Sequence, residues 1–225
     1  MARRKQKFAT QTPDIVRVFP KTDNQQLLME SIQDNPITIA SGCAGTGKTL
    51  ISLHEAVQMH HKRQIDKILY IKPNIQITYD KGVGFLPGTV EEKLDPLLAP
   101  IKDNLEVFCS KGKAKQMIDN KDIEVQLLEY IRGRSLRRTF IIVDETQNLA
   151  SAGVLTVLSR AEESTKVVLL GDPAQKDSYQ KVDNGLVDAV RRLSRLEHIV
   201  GTILFTSNDI QRSPYLKEVI DAYSL

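Results

Sequence analysis

Short apolar runs alternate with segments of helical period along most of the chain. PITIA (36–40), KILYI (67–71), TFIIVDE (139–145), KVVLLGD (166–172) and IVGTILF (199–205) are apolar, mostly rich in β-branched residues, and predict buried strands. TDNQQLLMESIQDN, from Thr22, sets Leu28 and Ile32 on one helical face, and LISLHEAVQMHH spaces Leu50, Leu53 and Val57 likewise. Two later stretches repeat the pattern with Val154, Leu155 and Leu158, and with Leu186, Val190 and Leu193. Such alternation implies an α/β fold in which helices flank a parallel sheet. SPYLKEVIDAY (213–223) carries a Ser213 cap, Pro214 at the first helical position, and Leu216, Val219, Ile220 and Tyr223 on one face, so a docked C-terminal helix is expected.

Two stretches break the rhythm. MARRKQKFATQTPD is basic and has no apolar period; residues 1–21 are expected as a basic flexible arm, the basic tract ending near Pro13, with one folded domain over 22–225. The interval 73–126 holds prolines at 87, 96 and 100, which are expected to forbid one long helix, and it reads as an insertion over the carboxyl edge of the sheet, a short helix pair.

Composition narrows the class. With 41% hydrophobic residues in 225, the chain can bury one large core. A net charge of +3 does not by itself demand nucleic acid. Two cysteines, Cys43 and Cys109, make no disulfide framework, and there is no apolar run long enough to span a bilayer, so a cytoplasmic protein without a membrane partner is expected.

The densest chemistry is SGCAGTGKT (41–49), between the first strand and a helix. It matches G-x-x-x-x-G-K-[ST] with Gly42, Gly47, Lys48 and Thr49. Glycines let the backbone of Gly42, Cys43, Ala44, Gly45, Thr46 and Gly47 curl so that successive amides face phosphate oxygens, and the helix opening through Lys48, Thr49 and Leu50 adds its positive end. Lys48 is expected to neutralise β- and γ-phosphate charge, and Thr49 to offer its hydroxyl to Mg²⁺. IIVDETQN supplies a second half: Asp144, ending a buried strand beside the phosphate loop, holds a magnesium-bound water, while Glu145 polarises the attacking water. GDPAQ (171–175) ends another strand, and Gln175 is placed to meet the terminal phosphate or that water.

The order GxxxxGKT, DExQ, GDxxQ, together with GFLPGTVEEKLDP, RGRS before the acidic strand, VDETQN, GDPAQKD and a late Gln211-Arg212, resembles the PhoH-like family, whose core is similar to the first motor domain of superfamily-one helicases. The resemblance runs from Thr22 to Tyr223. It implies a P-loop NTPase of RecA-like fold that binds ATP with Mg²⁺ and hydrolyses it, with Gln25 contacting adenine and Arg212 as an arginine finger. One motor domain needs a partner to complete its site, which points to a ring, hexameric by preference, in which Arg212, or secondarily Arg160, reaches a neighbour's ATP. Two positions depart from the family pattern: Cys43 stands where a proline is expected, and Lys72 where an arginine is, losing the bidentate fork. At a helix start Cys43 is a candidate for redox sensitivity.

RNA or single-stranded DNA is the partner that the resemblance brings with it. RGRSLRR (132–138), KGKAK (111–115) and RRLSR (191–195) are candidate basic tracks, with Tyr79 and Phe85 available for stacking, though each cluster alone reads as a solvated face. His54-Glu55 does not continue to H-E-x-x-H, so no zinc site is expected. The alternative to an ATPase is an ATP-gated assembly module with incidental hydrolysis; a small-molecule kinase is disfavoured because Glu145 favours water as acceptor.

Overall fold

The computed structural model describes residues 14–73, 90–177 and 183–211, with positions 215, 218, 219 and 222; for 90–96 the backbone alone is described. In chain order the elements are α1 (Asp23–Asp34), β1 (Ile37–Gly42), α2 (Lys48–His61), β2 (Lys67–Lys72), α3 (Val90–Phe108), α4 (Lys111–Asp119), β3 (Ile123–Leu127), β4 (Thr139–Val143), α5 (Ser151–Leu158), β5 (Lys166–Gly171), α6 (Gly185–Leu193) and β6 (Val200–Phe205). Six strands form one parallel sheet in the order β3-β2-β4-β5-β1-β6.

Strand alternation divides the core. Phe140 and Ile142 face one side with Tyr70, Leu28, Ile51, Leu53 and Val57, beneath α1 to α4. Ile141 and Val143 face the other with Leu69, Ile71, Val154 and Leu186, beneath α5 and α6. Both faces are covered, which is why the strands read as continuous apolar runs rather than alternating ones. Thr22 caps α1 by accepting from the Gln25 N–H, and Asn184 caps α6 by accepting from the Val187 N–H.

Three expectations change. The segment read as an insertion contributes edge strand β3, whose IEVQL pattern buries only alternate residues. Pro96 and Pro100 do not interrupt α3, which is nineteen residues long. Pro100 is exposed, while Ile101, Leu105 and Phe108 are buried and anchor the helix to the core. Residues 14–21 are strapped down rather than flexible: Val16 N–H donates to the Phe108 carbonyl (2.7 Å) and Val18 N–H to His54 Nε2 (3.1 Å), with Ile15 and Val18 packed on the core. The arm's residues 1–13, Tyr79, Phe85, Arg212 and most of the expected C-terminal helix lie outside the described residues. Positions 215, 218, 219 and 222 are helical, but Val219, expected on a docked face, is 46% exposed. No helix among the described residues is long and apolar enough to cross a membrane.

Gly42 ends β1 opposite Phe205 with φ +132°, and a Cβ there would lie 1.9 Å from the Phe205 carbonyl oxygen. Gly42→Ala is therefore expected to lower the unfolding free energy by about 2–4 kcal/mol, from backbone strain plus overpacking, read as a reduced midpoint in urea.

Candidate active site

A cavity of about 250 Å³ opens at the carboxyl edge of the sheet. The loop after β1 lines it with Lys48 and Thr49, β4 ends there in Asp144 and Glu145, and the turn after β5 adds Gly171, Asp172 and Gln175. Asp144 does not lie directly beside the phosphate loop, because β5 separates β4 from β1. Two strand spacings set the halves roughly 10 Å apart, a gap that a triphosphate and a hydrated cation can bridge.

The loop owes its shape to where its carbonyls go. Lys48 Nζ donates to the carbonyls of Gly42 (2.7 Å) and Cys43 (2.6 Å) and to Thr46 Oγ1 (3.2 Å). The Cys43 carbonyl also accepts from Thr46 Oγ1 (3.0 Å). The Gly45 carbonyl accepts the Gln211 N–H (3.0 Å), and the Thr46 carbonyl accepts Gln25 Nε2 (2.8 Å). In a trans peptide the next N–H points opposite to the carbonyl, so engaging these oxygens fixes the aim of the amides of Cys43, Ala44, Thr46 and Gly47. Gly45 and Gly47 adopt φ +77° and +83°, the left-handed values such curling needs.

Burial pushes the Lys48 ammonium below its ordinary pKa, opposed by the charges of Asp172, Asp144, Cys43 and Glu145. The side chain is 8% exposed, and Nζ lies 5.6 Å from the centre of the Phe205 ring. Asp144 continues the β2–β4 ladder by donating its N–H to the Ile71 carbonyl (3.0 Å). Its Oδ1 accepts the Glu145 N–H (3.0 Å), and its Oδ2 accepts the Tyr70 hydroxyl. Burial, with the charge and hydrogen bond of Asp144, raises the Tyr70 pKa well above the ordinary phenol value, so Tyr70 remains a donor. Glu145 is left-handed (φ +52°), a conformation unusual for a residue with a side chain.

Gln147 ties the two acidic ends together. It is fully buried; Nε2 donates to Glu145 Oε2 (2.6 Å) and to the Gln175 carbonyl (3.4 Å), and Oε1 accepts the Asp172 N–H (3.2 Å). A Cβ on Gly171 would meet Gln147 Oε1 at 2.2 Å, so the glycine is what admits the bridge. Sequence reading quoted Gln147 within VDETQN without giving it a role. It missed Tyr70 altogether, since a tyrosine in an apolar strand reads as core. Asn104, on α3 in the insertion, also lines the cavity and carries no sequence signal.

The other expected residues fall as follows. Gln25 is 4% exposed, and its Oε1 accepts the Lys21 N–H (2.7 Å), so both ends of its amide are engaged. Cys43 is half-buried in the loop, and Lys72 ends β2 at the carboxyl edge. Arg160 follows α5 at the opposite, amino edge, where its backbone pairs with Leu136. Several residues of the basic clusters have partners: Arg134 bonds Gln126, Arg137 pairs with Glu163, Arg138 with Asp66, and Arg191 and Arg192 with Asp188. Among the described residues no group of three or more His, Cys, Asp or Glu side chains is arranged to hold a metal.

A parallel sheet whose first loop curls its amides over a buried lysine, facing an acidic strand end two strands away, defines a P-loop NTPase fold. The chain belongs to the PhoH-like family: the family model described as PhoH-like protein matches residues 17–224. It is 35% identical over 207 residues to a PhoH-like protein of Mycobacterium leprae, covering 92% of this chain and 58% of the relative. It is also 35% identical over 216 residues to one of Synechocystis, covering 95% and 64%, so the chain spans less than two thirds of either relative. Among solved structures, the large terminase of a thermophilic bacteriophage in complex with ATP-gamma-S aligns with a TM-score of 0.54 at 15% identity, over 90% of this chain and 49% of that one, a likeness of fold.

Gln147→Ala strands the Asp172 N–H and opens a cavity between β4 and β5. It is expected to destabilise the chain by about 1–3 kcal/mol, measured by urea unfolding without nucleotide.

Proposed function

We propose that the chain binds ATP with Mg²⁺ in this cavity and hydrolyses it, and that hydrolysis is coupled to RNA or single-stranded nucleic acid in an oligomeric ring, hexameric by preference. The observation that carries the ATPase reading is the convergence of Lys48, Thr49, Asp144, Glu145 and Gln175, from three separate parts of the chain, on one cavity. Lys48 has three donors, and its contact to Thr46 Oγ1 is the longest of the three, so that donor turns to a phosphate oxygen while the two carbonyls keep the ammonium in place. Glu145 takes a proton from the attacking water at Oε1, because Gln147 holds Oε2 and with it the orientation of the carboxylate.

The donor set fits a magnesium ion. One hydroxyl, Thr49, and one strand-end carboxylate, Asp144, line the cavity without a protein-only cage, and Mg²⁺ is commonly held by one or two carboxylates plus substrate phosphates. When bound, the cation neutralises charge developing between β- and γ-phosphate. Gln25 reaches adenine by exchanging one of its two present partners. The family resemblance supports the ring, the nucleic-acid partner and the role of Arg212; the Gln211 N–H on the Gly45 carbonyl sets the preceding residue against its own loop.

Glu145→Gln is expected to cut phosphate release by about 10²–10⁴-fold while ATP binding persists, measured with and without single-stranded RNA and DNA. ATP-dependent assembly with negligible wild-type turnover would instead favour the assembly module. For the finger, Arg212→Ala is expected to lose about 10³-fold in turnover. Mixing it with Lys48→Ala subunits restores activity if the arginine acts on a neighbour's ATP; no recovery means that it serves its own.

A further inference from the structure

The geometry points to Tyr70 as a positioning residue for the divalent cation, acting through the Asp144 carboxylate; this rests on the nucleotide–magnesium reading above. Tyr70 lies on β2 opposite Ile142 of β4, on the same face of the sheet, and is 2% exposed. Asp144 is two residues beyond Ile142, so strand alternation turns its side chain to that face too. The phenol therefore reaches Asp144 Oδ2 from within the core, while the Glu145 N–H donates to Oδ1 at 3.0 Å.

These two donors remove the freedom that a strand-end carboxylate otherwise has. Rotation about Cβ–Cγ breaks both bonds, and the hydroxyl, buried among apolar residues, gains no water in exchange. Each oxygen retains lone pairs beyond the one engaged, and Asp144 lines the cavity that Thr49 enters from the other half. Tyr70 thus fixes the plane in which the carboxylate meets the cation or its bound water. Partners behind a ligand of this kind typically govern metal affinity by about 10–100-fold.

Tyr70→Phe keeps the ring and removes only the hydroxyl. The test is Mn²⁺ affinity of the ADP complex, followed by the electron paramagnetic resonance of free Mn²⁺, beside ADP affinity in EDTA. The expected result is about tenfold weaker Mn²⁺ binding with unchanged metal-free ADP affinity, and no additional loss when Tyr70→Phe is combined with Asp144→Asn. Unchanged Mn²⁺ affinity, or equal losses of metal and metal-free ADP affinity, overturns the assignment. If wild-type protein shows no ADP-dependent Mn²⁺ site at all, the magnesium reading falls and takes this role with it. A measurement that needs no Tyr70 variant uses the six tyrosines and absent tryptophan of the chain. Adding Mg²⁺ to the ADP complex should shift the tyrosine absorbance band in wild type and not in Asp144→Asn; a flat wild-type difference spectrum also overturns the proposal.

Discussion

The phosphate loop exists because its carbonyl oxygens have somewhere else to go. A loop of consecutive inward amides must turn the preceding oxygens away, and an oxygen turned into protein without a donor costs about 1–3 kcal/mol. Lys48 solvates Gly42 and Cys43, Gln25 solvates Thr46, and the Gln211 N–H solvates Gly45. Three separate parts of the chain are therefore committed to the outer side of one turn. The same contacts fix the buried ammonium in place, while the charges of Asp172 and Asp144 oppose the effect of burial on its pKa. Loop and lysine hold each other, and the anion site is the remainder.

The second constraint is the strand between the two halves. With β5 lying between β1 and β4, the carboxylates of Asp144 and Glu145 stand apart from Lys48, too far to collapse into a direct ion pair and close enough to share a ligand. The ladder between β4 and β5 itself stops at Val143 and Leu169, short of the two acidic turns. Gln147 links those turns with one amide, and Gly171 supplies the space. The left-handed backbone at Glu145 is held by the same arrangement: Asp144 Oδ1 accepts its N–H, and Gln147 donates to its carboxylate.

What was legible in the sequence follows from which interactions are local. The loop could be read because a curl of that kind requires glycine at Gly45 and Gly47 and a helix start after it. Strands β4 and β5 could be read because burial on both faces makes them uniformly apolar. Strand β3 could not: Glu124 and Gln126 stand on its half-exposed side, and five residues with two polar ones look like a connection. Pro100 misled because its cost depends on which side of the helix it stands on, and only the packing of α3 puts it on the exposed one. Tyr70 was invisible for a related reason. Its hydroxyl matters through a partner 74 residues away, and nothing near it in the chain marks that contact. Gln147 stood in between, inside a recognised motif but with its role set by β5.

The strap at residues 14–21 shows how far the loop's support extends. His54 accepts the Val18 N–H at Nε2, so Nδ1 carries the proton and donates to Glu55 Oε1 at 3.0 Å; Gln33 donates to Oε2. Burial raises the Glu55 pKa, but the bonds from His54 and Gln33 outweigh it and leave the carboxyl below its ordinary value, an anion kept in the core. A buried charge of that kind is expensive unless fully bonded, and its evident use is to fix one tautomer of His54. That tautomer receives Val18; three residues on, Lys21 donates its N–H to Gln25, and Gln25 holds the Thr46 carbonyl. The strap's other end grips Phe108 at the close of α3, the helix whose Asn104 lines the cavity. Residues 14–21 thus reach the phosphate loop through Gln25, and their bonds to His54 and Phe108 fold them with the domain.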